Sequence, residues 1–178
     1  MTVEEKTIES EILFEGPVFK VRRHLVTAKE GRTARRDIVE HSGGVGICAL
    51  TPDDKLVMIR QYRKAAECVV WEIPAGKAEN GEDPVTTAKR ELKEETGYEA
   101  VDFKRIARFY GTIGYNNEVI EIFRAETTIK GDTDFDENEA IDLFEIDLPT
   151  LLHMVDRGEI VDAKTIIGIL MTARELGV

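Results

Sequence analysis

Residues 76 to 98 read GKAENGEDPVTTAKRELKEETGY, and how this stretch is read decides the fold. Asp83-Pro84 offers an N-cap followed by proline at the first helical position. Val85, Ala88 and Leu92 then recur at helical spacing, and Gly97 can close a helix in the left-handed conformation. The pattern predicts a helix over 84–96. Its last turn carries Glu91, Glu94 and Glu95, which at ~100° per residue fall within an arc of ~100° on one face.

A solvated helix face usually sets opposite charges three and four residues apart. Here Lys89 with Lys93, Arg90 with Lys93, Glu91 with Glu94 and Glu91 with Glu95 all repeat a sign, and among these spacings only Arg90 with Glu94 is opposite. Each like-charged pair costs roughly 0.2–0.5 kcal/mol, and anions at a helix C-terminus also oppose the macrodipole. A helix that gives up local stability in this way points to function. Clustered carboxylates are how proteins hold a hard divalent cation such as Mg²⁺. Gly76 and Gly81 would let the backbone come close to a ligand, and Glu79 and Glu82 add acidity. The loop is not a phosphate-cradling P-loop, because Lys77 is followed by Ala78 and not by Ser or Thr.

The flanking sequence reads as a mixed α/β (α+β) chain. EILFEG, VFKVRRHLV and RRDIVEH predict short strands up to about His41, an antiparallel β annex over 1–41 set apart from a core over 42–178. VGICALT and KLVMIRQYR predict a hairpin about Pro52-Asp53-Asp54, and CVVWEIP a buried strand, with AGKAENGED as loop. FKRIARFY, EVIEIFRAE and LFEID predict further strands, GDTDFDENEAI an acidic loop, and LPTLLHMVDRG and AKTIIGILMTARELG two closing helices.

The chain has 178 residues, 42% hydrophobic and 33% charged, with 35 acidic residues against 24 basic and a net charge of −11. No run approaches the ~18 apolar residues of a membrane helix, the acidic N-terminus lacks a secretory signal's order, and a cytoplasmic, non-membrane protein is expected. The absence of a basic stripe argues against nucleic acid as a partner. Cys48 and Cys68 sit in apolar segments without metal spacing and are expected to be buried free thiols. His24, His41 and His153 form no visible cluster.

From Gly76 to Tyr98 the stretch resembles the Nudix box. Gly76, Glu82, Arg90, Glu91, Leu92, Glu94, Glu95 and Gly97 match it, and Tyr98 departs from it, being aromatic where the pattern has an aliphatic residue. The resemblance implies the Nudix fold, a mixed β-sheet sandwiched between helices, and hydrolysis of a nucleoside diphosphate linked to another group. It implies Mg²⁺, with Mn²⁺ as a substitute, on Glu91, Glu95, Glu94 and the Ala75 carbonyl. Arg90 would orient the cluster, with Gly76, Glu82 and Gly97 structural.

Outside the box, IRQYRKA, EIPAGK and ENEAI are similar to the ADP-ribose pyrophosphatase branch. That similarity implies a loop glutamate that activates water, Glu139, with Glu137 and Glu94 as the other candidates. It implies substrate contacts from Arg63, Arg60 and Glu118, and a homodimer through the annex. Phe19 and Trp71 are candidates for stacking on a base, against a plain core role. The branch usually has a proline where this chain has Ile113, within Thr112-Ile113-Gly114, and this brings in a nucleotide sugar such as GDP-mannose as an alternative substrate. A non-catalytic Nudix-fold ligand sensor is a further alternative, and the intact box glutamates speak against it.

Overall fold

The computed structural model describes residues 4–79, 81–133 and 140–178. The chain forms two compact units, one of Met1–Gly43 with Tyr110–Val119, the other of Gly44–Phe109 with Ile120–Val178.

The first unit is a three-stranded antiparallel sheet, β1 (Thr7–Glu15), β2 (Lys20–Thr27) and β3 (Thr33–Glu40), in that order. Directly opposed Arg23 and Asp37 make a bidentate pair at 2.7 Å, and Arg22 meets Glu40 at 2.7 Å. Every residue of β1 is exposed, including Ile8, Ile12, Leu13 and Phe14. Residues 110–119 belong with this sheet because Val39 donates its N–H to the Tyr115 carbonyl (2.7 Å) and accepts from Asn117 N–H (3.1 Å). That pairing links strand ends far apart in sequence, so no local pattern announces it.

The second unit holds β4 (Gly44–Leu50), β5 (Lys55–Arg63), β6 (Cys68–Glu72), β7 (Ala75–Lys77), α1 (Pro84–Thr96), β8 (Tyr98–Tyr110) and β9 (Val119–Lys130) but for Tyr110 and Val119, β10 (Ile141–Asp147), α2 (Leu148–Asp156) and α3 (Ala163–Leu176). Its sheet runs β10-β5-β4-β9-β8, with β6 on β5 and β7 on β4, and it is mixed because β4 and β9 are parallel. Successive β4 side chains point to opposite faces. Val45, Ile47 and Ala49 pack with Ala88 and Leu92 of α1, while Cys48 and Leu50 pack with Leu148, Leu151 and Ile169 of α2 and α3. Helices thus cover both faces, and β4 is apolar nearly throughout for that reason.

The α1 boundaries match the sequence expectation. Asp83 accepts from Val85 N–H (3.0 Å) and Thr86 N–H (3.2 Å), and Gly97 closes the helix at φ +72°. A β-carbon at Gly97 would stand 2.3 Å from the Gly131 carbonyl oxygen.

The turn at Pro52-Asp53-Asp54 forms, and β4 and β5 pair antiparallel across it at Leu50 and Leu56, while Gly44–Gly46 of β4 pair with β7. Two expectations need correcting. Ala75–Lys77 is a strand and not loop; it pairs with Gly44–Gly46 of β4. Cys68 is exposed, since it begins β6 at the end of its pairing with β5, whereas Cys48 is fully buried and its thiol is pushed up to about 12 by that burial. Neither thiol has a disulfide partner.

Candidate active site

Antiparallel pairing holds β7 against β4, and α1 packs on the same strand through Ala88 and Leu92. The box carboxylates therefore lie over the β7 backbone. Ala75 N–H donates to Glu95 Oε2 at 2.9 Å, and Glu95 is 5% exposed. At Gly76 a β-carbon would stand 1.9 Å from the Glu91 carboxyl carbon, so only glycine lets this carboxylate approach so closely.

Arg90 stands at the centre of the group. Its Nη1 donates to Glu91 Oε1 and Glu94 Oε2, both at 2.9 Å; its Nη2 donates to the Lys77 carbonyl (3.0 Å) and Glu82 Oε2 (3.1 Å). Partial burial alone would lower the Arg90 pKa, but its hydrogen bond to Glu82 and the charge of Glu91 raise it. The same bond to Arg90, with the Glu79 backbone, holds the Glu82 carboxyl below its ordinary value. The like-charge tally along the helix misses this arrangement. Two of the guanidinium's partners, Lys77 and Glu82, come from outside the helix, and a third, Glu91, is its immediate neighbour.

Glu91 and Glu94 are turned onto Arg90 here, and among the described residues no three His, Cys, Asp or Glu side chains are gathered into a ready ligating group. The donor set nevertheless fits a hard divalent cation. The three carboxylates offer only oxygen, beside a glycine that clears the approach to Glu91.

Arg63 lies at the end of β5 and donates bidentately to Glu72 (2.6 and 2.9 Å). Glu72 is 2% exposed and is also bonded by Lys164 of α3. Sequence reading missed both Glu72 and Lys164; the Glu of EIPAGK, directly before the box, was the available signal. Arg60 points elsewhere, pairing with Asp142 at 2.9 Å and lying 5.3 Å from the Trp71 ring and 5.2 Å from that of Phe144. Trp71 itself packs edge-on to Phe144 against the α2/α3 core cluster, which is a core role. Phe19 pairs with Phe14 at 5.6 Å in the first unit.

Glu118 also belongs to the first unit, where its Oε1 lies 3.2 Å from Nδ1 of His41, a histidine that no sequence pattern singles out. The Thr112-Ile113-Gly114 turn closes without proline, as Asn116 N–H reaches the Thr112 carbonyl at 3.0 Å, and Ile113 is 77% exposed. Glu137 and Glu139 lie outside the described residues. Tyr98 keeps its ring in the α1-side cluster, 8% exposed, and sends its hydroxyl to Glu145 of β10; burial and that carboxylate push it up to about 12. The aromatic departure from the box is thus a core side chain with a satisfied polar tip.

The NUDIX domain pattern matches residues 40–166. The chain is 40% identical over 166 residues to the ADP-ribose pyrophosphatase of Bacillus subtilis (strain 168), covering 92% of this chain and 90% of that protein. It is 42% identical over 168 residues to the methanol dehydrogenase activator of Bacillus methanolicus, covering 93% and 91%. A crystal structure described as an ADP compounds hydrolase superposes with a TM-score of 0.86 at 18% identity, over 99% of this chain and 96% of that one.

Proposed function

The chain belongs to the Nudix family, and from that premise we propose that it is a diphosphatase that cuts ADP-ribose to AMP and ribose 5-phosphate with the help of Mg²⁺. The observation that carries this reading is the seating of the box glutamates over β7, with Ala75 N–H fixing Glu95 and Gly76 admitting Glu91. The substrate is supported by the 40% identity to a relative named for it.

A divalent cation bound by Glu91, Glu94, Glu95 and the Ala75 carbonyl would supply charge neutralisation on the diphosphate and a more acidic water. The chain's own residues prepare for it. Arg90 holds the Glu91 and Glu94 carboxylates in fixed orientations, and Glu82 and the Lys77 carbonyl in turn hold Arg90. Glu139 is the proposed acceptor of the water's proton, with Glu137 and Glu94 the other candidates. Arg63, oriented by Glu72, is the residue we propose to present a cation to substrate phosphate; Arg60 would join it only by leaving its pair with Asp142. Water attacks phosphorus, one P–O bond of the diphosphate breaks, and each product keeps one phosphate.

A hydrolysis panel with and without Mg²⁺ or Mn²⁺ tests this reading. ADP-ribose is expected to be cleaved fastest, to AMP and ribose 5-phosphate, with turnover abolished by chelation. Preference for GDP-mannose would transfer the assignment to the nucleotide sugar, and no turnover of any diphosphate by folded protein would return it to the sensor class.

No helix among the described residues is long and apolar enough to cross a membrane. A cytoplasmic enzyme acting on a small diphosphate, without nucleic acid or membrane partners, is the accompanying reading. We place homodimer contacts on the first unit, because β1 exposes Ile8, Ile12 and Phe14, each about half, on one small sheet. Sedimentation is expected to give a dimer, and Phe14→Glu to shift it toward monomer. A wild-type monomer at micromolar concentration would remove this assignment.

A further inference from the structure

His41 follows directly on β3, and its N–H donates to Asn117 Oδ1 at 2.9 Å. Its imidazole Nδ1 has two neighbours, Gly43 N at 3.1 Å and Glu118 Oε1 at 3.2 Å. A ring nitrogen offers one in-plane direction; bare, it accepts a hydrogen bond, and protonated, it donates one. Gly43 N–H needs the bare nitrogen, and the ionised Glu118 carboxylate needs the protonated one. Both demands cannot be met together. The His41 side chain is 12% exposed and that of Glu118 26%, so water compensates little for whichever bond is lost.

The surroundings leave this choice to one proton. The other charged group beside His41 on β3, Glu40, is held by Arg22 at 2.7 Å. On the loop side, Glu118 Oε2 has Asn116 Nδ2 at 3.5 Å, and Glu118 N–H donates to Asn116 Oδ1 at 2.9 Å. The Val39 bonds to Tyr115 and Asn117 tie the loop to β3, directly before His41, so imidazole and carboxylate stay opposed. Histidine is the side chain whose ordinary change of charge falls between about pH 5 and 8.

We propose that His41 is a proton-operated latch on Glu118. With Nδ1 bare, the imidazole accepts from Gly43 N–H and leaves the Glu118 carboxylate free to turn to another partner. With Nδ1 protonated, N–H holds Glu118 and Gly43 N–H is released. His41 is therefore a positioning residue that acts through Glu118. The latch does not depend on the diphosphatase reading, and its test uses no substrate.

The test follows the imidazole ¹⁵N signals and the Gly43 amide of the full chain by NMR from about pH 8.5 to about pH 5. At the alkaline end Nδ1 is expected bare and Nε2 protonated. On acidification the Gly43 amide should shift with the same midpoint as the ring, and its protection from exchange should fall roughly fivefold, the size of one lost hydrogen bond. His41→Asn sets an amide oxygen where Nδ1 stands, preserving the acceptor without a charge change. In this variant the Gly43 titration is expected to vanish. A neutral ring carrying its proton on Nδ1 at alkaline pH would overturn the latch from wild-type spectra alone. A Gly43 titration that survives in His41→Asn would overturn it as well.

Discussion

Glu95→Gln is expected to lower kcat/KM for ADP-ribose roughly a thousandfold while leaving the metal-free protein no less stable. The loss corresponds to the several kcal/mol of charge stabilisation that a bound divalent cation supplies. The unchanged stability follows from the contacts of Glu95. Its Oε2 accepts from Ala75 N–H at 2.9 Å, and a glutamine oxygen can keep that bond. The substitution also removes one like charge at the i,i+4 spacing from Glu91, worth roughly 0.2–0.5 kcal/mol, which offsets the charge attraction to Arg63 that it gives up. Kinetics at saturating Mg²⁺ and urea unfolding in chelator measure the two effects separately. A variant that unfolds easily in chelator would make Glu95 a structural residue and would falsify its assignment as a ligand.

Glu72→Ala is the second large effect, with an expected cost of about 3 kcal/mol at neutral pH, as for other broken buried pairs. Glu72 is 2% exposed and meets Arg63 at two nitrogens and Lys164 at a third. Its removal leaves two cations without their common partner. Burial alone would raise the Glu72 pKa, but the hydrogen bond from Arg63 and the charge of Lys164 outweigh it, and the carboxyl titrates below its ordinary 4.5. A carboxyl with a lowered folded-state pKa stabilises fully above its unfolded value and loses that contribution as pH falls through the folded one. The stability gap between wild type and Glu72→Ala should therefore be widest near neutrality and shrink below about pH 4. Denaturant midpoints at several pH values check this, and a gap independent of pH would assign the cost to lost packing.

How much of the molecule was legible in the sequence can be judged residue by residue. Both ends of α1 could be read because Asp83-Pro84 and Gly97 act within their own turn. The two-faced core was legible in β4, whose alternate residues are all apolar. The β7 strand was not, because Ala-Gly-Lys has no pattern of its own and becomes a strand only beside Gly44–Gly46. The counter-ion role of Arg90 was half legible. Its i+4 partner Glu94 lies on the helix, but Lys77 and Glu82 reach it only once the preceding loop has folded back. The pairing of His41 with Glu118 was beyond any local reading, since 76 residues separate His41 from even the adjacent Asn117. What failed to show in these three cases was a contact made from outside the element itself.

The parallel pairing of β4 with β9 also bears on how the chain is made. Gly44 pairs with Ile120 and Leu50 with Glu126, so a central strand waits about 76 residues for its partner. At ribosomal speeds of about 5–20 residues per second, β4 is out for roughly 4–15 s before its hydrogen bonds to β9 can form. Over that interval a nearly all-apolar strand has one edge of its backbone unpaired, a state open to aggregation and to chaperone capture. The strand that organises the finished sheet is thus also the point at which newborn chains are most exposed.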